Sequence, residues 1–494
     1  MKRLHPDTLA TLPAAVARPR YDRSALRSGI VHLGIGAFAR AHLAVATEAA
    51  MQASGDLGWG ITGVSLRSPD VRDALAPQQG VYTLALRDAD EHGTPRQTLQ
   101  VIGALQRVLV APEDPAAVLE AIASPDTRIV SLTVTEKGYH HDPATGRLRS
   151  NDAEIEHDLR HPEAPRSTLG FLAHGLQLRR RRGLAPVTLL SCDNLPGNGR
   201  TLRGLLLAFA AQLDAWLHDW IATQCLFPNS MVDRIVPRSV AGDRERIAAS
   251  LGVDDAAAVV GEPFFEWVVE DHFANGRPAW EAAGVRFVVQ AEPFEKLKLR
   301  MVNGAHSTIA YLGVMAGWAT VDVAIGQAPL RRAIEALMRE EIEPTLPALP
   351  SLDLTAYRAR LIERFANPAL AHQTLQIAMD GSQKLPQRWL GTVRDRLSAG
   401  AGIDRLALAI AAWLHFLRGV DERGRPYAIN DPLAAELQAL RARAEQADDE
   451  LQRAALLAGF APVFGDLAGD ARLVAALAPH ARSLRERGVM ATLE

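Results

Sequence analysis

The most constraining feature of this 494-residue chain lies close to its start. In Ile30-Val-His-Leu-Gly34-Ile-Gly36-Ala-Phe-Ala39 a short apolar run of strand type passes directly into G-x-G-x-x-A and then into helical periodicity. Gly34 permits a tight turn, Gly36 lets backbone approach a pyrophosphate, and Ala39 is small enough for helix and strand to pack. A helix starting here offers unpaired N–H groups and a partial positive charge to phosphates. Away from such a strand and helix, a glycine pair is only a turn. In this context Gly34, Ile35, Gly36, Ala37 and Phe38 are the expected dinucleotide-binding positions. The next strand ends near Leu66-Arg67-Ser68-Pro69-Asp70. Asp70 can accept from a free ribose 2'-hydroxyl, and Arg67 can pair with a 2'-phosphate. With both present, NAD is the expected cofactor.

The remainder of the first half fits that start. Apolar runs rich in Val and Ile at 30–34, 61–66, 128–135 and 187–191 alternate with amphipathic stretches such as 37–53 and 167–182. Beyond about residue 287 the stretches 302–315, 329–339, 406–417 and 432–447 read as helices with few strands between them. The expected fold is α/β: a Rossmann-type, doubly wound parallel sheet over 1–287, and a mainly α-helical domain over 288–494 that carries substrate and catalytic groups. A chain of this length exceeds what one core usually supports, and ligands favour clefts between domains.

Composition narrows the partners. The formal net charge is -3, so no broad attraction to nucleic acid or an anionic membrane is implied, and small molecules are the expected ligands. Arg179, Arg180, Arg181 and Arg182 end a helical stretch before Gly183, where cations meet the helix dipole and glycine caps, so they read as a solvated face. Cys192 and Cys225 are too far apart for a CxxC motif. Residues 1–20 lack an apolar segment of signal-peptide length, and no later stretch has about 18 uninterrupted apolar residues, so the expected location is the cytoplasm.

The most chemical segment is Phe294-Glu-Lys-Leu-Lys298-Leu-Arg-Met-Val-Asn303-Gly-Ala-His306. Read as an α-helix at about 100° per residue, Lys298 lies at 0°, Asn303 near 140° and His306 near 80°, so all three can face one pocket. Arg300 falls near 200° and reads as a structural or surface charge. Hydride transfer at a secondary alcohol needs a base for the hydroxyl proton, and the reverse needs an acid. A lysine serves both if its pKa falls from about 10.4 toward about 7 to 8. Asn303 can donate to a developing alkoxide, and His306 can orient substrate or lysine. Asn194, in Ser-Cys-Asp193-Asn194-Leu-Pro, follows a strand at its carboxyl end, where open α/β sheets bind ligands. Two other classes compete: a zinc-dependent polyol dehydrogenase using His140 and His141, which lacks an obvious completing ligand, and a non-catalytic NAD-binding regulator, which would not need Lys298, Asn303 and His306.

Together these motifs resemble the polyol-specific long-chain dehydrogenases, the mannitol dehydrogenase family. The resemblance runs along nearly the whole chain, through His32-Leu-Gly-Ile-Gly-Ala-Phe-Ala-Arg-Ala-His42, Ser131-Leu-Thr-Val-Thr-Glu-Lys-Gly-Tyr139, Ser191-Cys-Asp-Asn-Leu-Pro196, Met231-Val-Asp-Arg-Ile-Val-Pro237 and Lys298 to His306. It implies a metal-independent NAD(H) enzyme whose catalytic lysine, paired asparagines and histidine fall on Lys298, Asn194, Asn303 and His306. It also implies substrate-contacting roles for Lys384 and Asp233. Ala39 departs from the histidine many relatives carry. The stretch Gln376-Ile-Ala-Met-Asp-Gly-Ser-Gln-Lys384-Leu-Pro-Gln-Arg388 looks most like the D-mannonate oxidoreductases, or fructuronate reductases, of hexuronate breakdown; mannitol 2-dehydrogenases usually carry arginine where Gln376 stands. A uronate brings a carboxylate that is costly to bury without cations, and Lys384 and Arg388 are the expected partners. The alternative is a mannitol 2-dehydrogenase or another polyol dehydrogenase, with Arg388 in an interdomain salt bridge.

Overall fold

The computed structural model describes residues 1–89, 94–142, 145–239, 242–349 and 352–494. The chain divides into two compact units, Met1–Glu292 and Pro293–Glu494, a few residues beyond the change of character at 287 in the sequence.

Within the first unit the described strands are, in chain order, β1 (Ile30–Leu33), β2 (Ile61–Ser65), β3 (Tyr82–Ala89), β4 (Pro95–Ile102), β5 (Leu105–Val110), β6 (Ile129–Leu132), β7 (Thr188–Ser191), β8 (Ser230–Asp233), β9 (Val259–Gly261), β10 (Glu266–Glu270) and β11 (Arg286–Val288). Five of them form one sheet in the order β5-β2-β1-β6-β7, with every pairing parallel. Ile30 faces Ile61 on one side and Ile129 on the other. β1, β6 and β7 are buried along their whole length, as strands covered on both faces must be, and their apolar sequences follow from that. Chain order reverses on either side of β1, which sets the switch point of a doubly wound sheet at the end of that strand, where Gly34 stands.

Several local expectations are revised. The single helix expected over 37–53 is two, Ala37–Ala41 and Leu43–Ser54, broken at His42 (φ -126°, ψ -81°). The His42 ring stacks on Phe38 at 5.0 Å and packs against Phe265 and Trp267, which holds the break. The strand expected over 128–135 stops at Leu132, because Thr135 turns to φ 64°. The antiparallel pair β3–β4, with β9 beside β3, and the sheet β11-β10-β8 were not anticipated. Arg179 is fully buried, its Nη1 donating to the carbonyls of Ile122 and Ser124, so the arginine run is not wholly a solvated face. Gly183 does cap that helix at φ 66°.

The second unit is helical around one large apolar core that includes Met301, Ile309, Tyr311, Trp389 and Trp413. Three of its turns, Lys298–Asn303, Leu337–Ile342 and Pro386–Leu390, are π-helical rather than α-helical. Among the described residues, no helix is long and apolar enough to cross a membrane.

Candidate active site

A cavity of about 590 Å³ opens at the carboxyl end of the parallel sheet, lined by Gly34, Ile35, Gly36, Arg67, Ser68, Thr133, Thr135, Lys137 and Arg166 among others. Gly34 has φ 89°, and a Cβ there would stand 2.2 Å from the Thr133 carbonyl oxygen, so both conformation and packing demand glycine. At Gly36 a Cβ would meet only the Gly34 oxygen, at 3.9 Å, and would otherwise project into open space. The clearance a pyrophosphate needs is therefore present, with Arg67, Lys137 and Arg166 as nearby cations, and these residues fit a dinucleotide. Ala37 and Phe38 pack toward the first unit's core. Asp70 opens the helix Asp70–Leu75, accepts from the Ser68 hydroxyl at 2.9 Å, and is not among the residues that line the cavity.

The floor of this bay is a closed polar network. His32 bridges β1 to β6, one ring nitrogen on the Ser131 hydroxyl at 2.8 Å and the other on Thr133 Oγ1 at 2.9 Å, and burial pushes its pKa down to about 3. The Asp193 carboxylate accepts from the Val134 and Thr135 amides at 3.1 and 2.9 Å and from the Tyr139 hydroxyl at 2.8 Å. It thereby holds the strained Thr135 backbone. Burial pushes Asp193 up to about 6 in spite of these donors. Its neighbour Asn194 is exposed on this anchored turn, and Asn198 ties the turn to β8 through the carbonyls of Asp193 and Ser230. Asp233 closes β8 and is buried.

In the second unit, the turn Lys298–Asn303 bonds i to i+5, as the Gly304 amide to the Leu299 carbonyl shows. This corrects the α-helical reading. In an i→i+5 ladder residues five apart stack on one side, so Lys298 and Asn303 share a face more closely than the 100° wheel allowed. Both are buried. Asn303 Nδ2 and His306 Nε2 are buried with no hydrogen-bond partner among the described residues. Burial pushes the His306 pKa well down, and His372, Arg388, Arg364 and Lys298 all act in the same direction. Arg300 lies apart from this group, donating to Thr345 and Asp395 at 2.7 and 2.6 Å, as its structural reading required.

The two groups expected to receive a carboxylate are placed differently from one another. Lys384 Nζ donates to the Met379 carbonyl at 2.6 Å. Arg388, buried in a second π turn, donates to Ser307 Oγ at 2.7 Å and to the Asn303 carbonyl at 3.5 Å, and so buttresses the first π turn from within its own unit. Trp389 Nε1 joins it on the Gly304 carbonyl at 3.0 Å. Sequence reasoning missed His372, whose ring meets His306 edge-on at 5.1 Å; a lone histidine in a loop carries no spacing signal. His140 faces Asp152 and Glu154, each at 3.2 Å. Among the described residues, no three His, Cys, Asp or Glu side chains group so as to hold a metal ion.

Comparison with known proteins fits this geometry. Residues 28–282 match the mannitol dehydrogenase Rossmann domain and residues 290–485 the mannitol dehydrogenase C-terminal domain. The chain is 44% identical over 478 residues to D-mannonate oxidoreductase of Escherichia coli, covering 96% of each protein. It is 39% identical to mannitol dehydrogenase 2 of Saccharomyces cerevisiae, over 99% of this chain and 97% of that one. The solved structure of Pseudomonas fluorescens mannitol 2-dehydrogenase in ternary complex with NAD and D-mannitol superposes with a TM-score of 0.93 at 39% identity, covering 99% of this chain and 98% of that one. A glycine loop at the switch point of the sheet, a buried lysine on a π turn and agreement over nearly the full length lead to one conclusion: the chain belongs to the mannitol dehydrogenase family and is an oxidoreductase acting on secondary alcohols.

Proposed function

We propose that this NAD-dependent oxidoreductase interconverts D-fructuronate and D-mannonate, without a metal, in the breakdown of hexuronates. The observation that carries the reading is electrostatic. His306 and His372 meet edge-on at 5.1 Å, and, beside burial, Arg388, Arg364 and Lys298 disfavour a charge on the first and Lys384 on the second, so four cations act on one pair of imidazoles. A substrate carboxylate buried near them has the partners it needs, whereas a neutral polyol leaves that positive potential unanswered. The 44% identity to a D-mannonate oxidoreductase supports the same choice.

NADH supplies the hydride to the C5 carbonyl carbon when bound. Lys298 gives its proton to the oxygen as the carbonyl becomes a hydroxyl, and takes it back in the reverse direction. Asn303 Nδ2 donates to the oxygen as negative charge develops on it, and we assign Asn194 the same duty. Arg388 fixes Asn303 through its main chain, and with Lys384 contributes positive potential for the carboxylate; Asp233 is assigned a substrate hydroxyl. The second reading, a polyol-to-ketose dehydrogenase, is favoured by the 0.93 TM-score to a mannitol 2-dehydrogenase.

The deciding measurement is NADH consumption by the purified protein with D-fructuronate beside D-fructose, with and without a chelator. Chelator-insensitive preference for fructuronate is expected. Preference for fructose moves the chain to the second reading, and a rate lost to chelator removes the metal-independent mechanism.

A further inference from the structure

We propose that His372 binds substrate directly, pairing with His306 as a two-imidazole acceptor for the hydroxyl groups of an open-chain sugar acid or polyol. The inference rests on the reading that such a substrate reacts at Lys298.

The backbone around His372 is fixed and strained. Ala371, immediately before it, sits at φ 45° without being glycine. Val321 N donates to the His372 carbonyl at 2.9 Å, Thr374 N to the Ala319 carbonyl at 3.0 Å, and the Thr374 hydroxyl to the Trp318 carbonyl at 2.9 Å. These bonds hold a costly conformation on both sides of one side chain, a pattern typical of ligand-binding positions. The ring so placed meets the edge of His306, whose own ring stacks on Phe365 at 5.0 Å.

The pair is polar and unmatched. His372 Nδ1 and His306 Nε2 are both buried without a hydrogen-bond partner among the described residues, and so is Asn303 Nδ2, three residues before His306. Leaving such groups unpaired costs stability, so three of them, two on rings that touch, call for a ligand rather than for packing. Lys298, Lys384, Arg364 and Arg388 can only donate, and so can the Asn303 amide nitrogen. A hydroxylated substrate brings hydrogens of its own that need acceptors, and imidazole lone pairs provide them. The surrounding cations and burial keep both rings neutral, which leaves those lone pairs available. The site thus divides its work, with cations for a carboxylate and neutral imidazoles for hydroxyls.

The test compares wild type, His372→Ala and His372→Gln in steady-state kinetics with NADH and D-fructuronate or D-fructose, alongside NADH affinity by fluorescence. His372→Ala should raise KM about tenfold on the sugar that wild type turns over, leave kcat within about threefold, and leave NADH affinity unchanged. Gln, which retains an acceptor, should recover part of the loss. An unchanged KM overturns the proposal, as does a loss shared with NADH affinity in which Gln is no better than Ala. Should the Ala variant not fold, His372→Leu, which fills the space without an acceptor, takes its place with the same two outcomes. Wild-type preference for fructose would sink the uronate assignment while the His372 result is still read on fructose, so the two failures are distinguishable.

Discussion

The bay after β1 and the pocket around Lys298 solve opposite problems. In the first, polar groups are matched inside the protein: both His32 nitrogens are bonded, and Asp193 collects three donors. In the second, Asn303 and His306 carry buried polar atoms with no partner among the described residues, beside a buried lysine. The difference follows from what each region must present. A cofactor loop offers backbone and empty space, so its side chains can be spent on rigidity. A reacting centre must keep side-chain donors and acceptors open for a molecule that comes and goes, and it carries the desolvation cost until that molecule arrives.

The sharpest way to break this comparison is to remove one member from each region. Lys298→Ala should lower kcat by about 10³-fold, the scale of general acid–base catalysis, with NADH affinity intact. A fall of less than tenfold would show that the proton moves elsewhere. Gly34→Ala should act on the fold, because its Cβ would collide with the Thr133 carbonyl at 2.2 Å and φ is 89°. A loss of about 3 kcal/mol in urea unfolding is expected. Gly36→Ala, with no such collision, should fold normally and bind NADH more weakly; equal unfolding losses for the two variants would refute the separate roles assigned to these glycines.

How far each region could be read in advance follows the same division. Gly34 and Gly36 were legible because their duty belongs to the backbone, and a strand, two spaced glycines and a helix are local facts of sequence. Lys298, Asn303 and His306 were legible as residues but not as geometry, since nothing in Lys298-Leu-Arg-Met-Val-Asn303 announces an i→i+5 turn. That turn depends on tertiary support: Arg388 on the Asn303 carbonyl and Trp389 on that of Gly304, some 85 positions along the chain. Arg388 was picked out for its charge, yet its anchoring role exists only in three dimensions. Asp70 was legible as a carboxylate just after a second strand, but not its bond from the Ser68 hydroxyl, because the turn that brings the two together is set by the start of the helix Asp70–Leu75. The β3–β4 pair escaped because an antiparallel insertion breaks the strand–helix alternation from which the fold was read.

The mildest expected effect concerns acid. His32 and His372 both titrate below the ordinary histidine value of 6.5, chiefly through burial, with Lys384 adding to the effect on His372, which lies at about 4. A histidine whose folded pKa is depressed binds its proton more readily when unfolded. Its contribution to stability is therefore complete above about pH 6.5 and disappears as the pH falls through the window down to about 4. At pH 5 the His372 share of that loss is about 2 kcal/mol. Urea unfolding of wild type and His372→Gln at pH 7.5 and pH 5 isolates it, because Gln does not titrate, and the variant should lose less stability between the two conditions. A bound sugar acid should narrow the wild-type loss, since a carboxylate among the cations favours the protonated rings, whereas His32, closed within its own network, should not respond. Equal acid losses in wild type and variant would mean that His372 is not held neutral by its surroundings, and the contrast between a satisfied bay and an open pocket would then lose its electrostatic half.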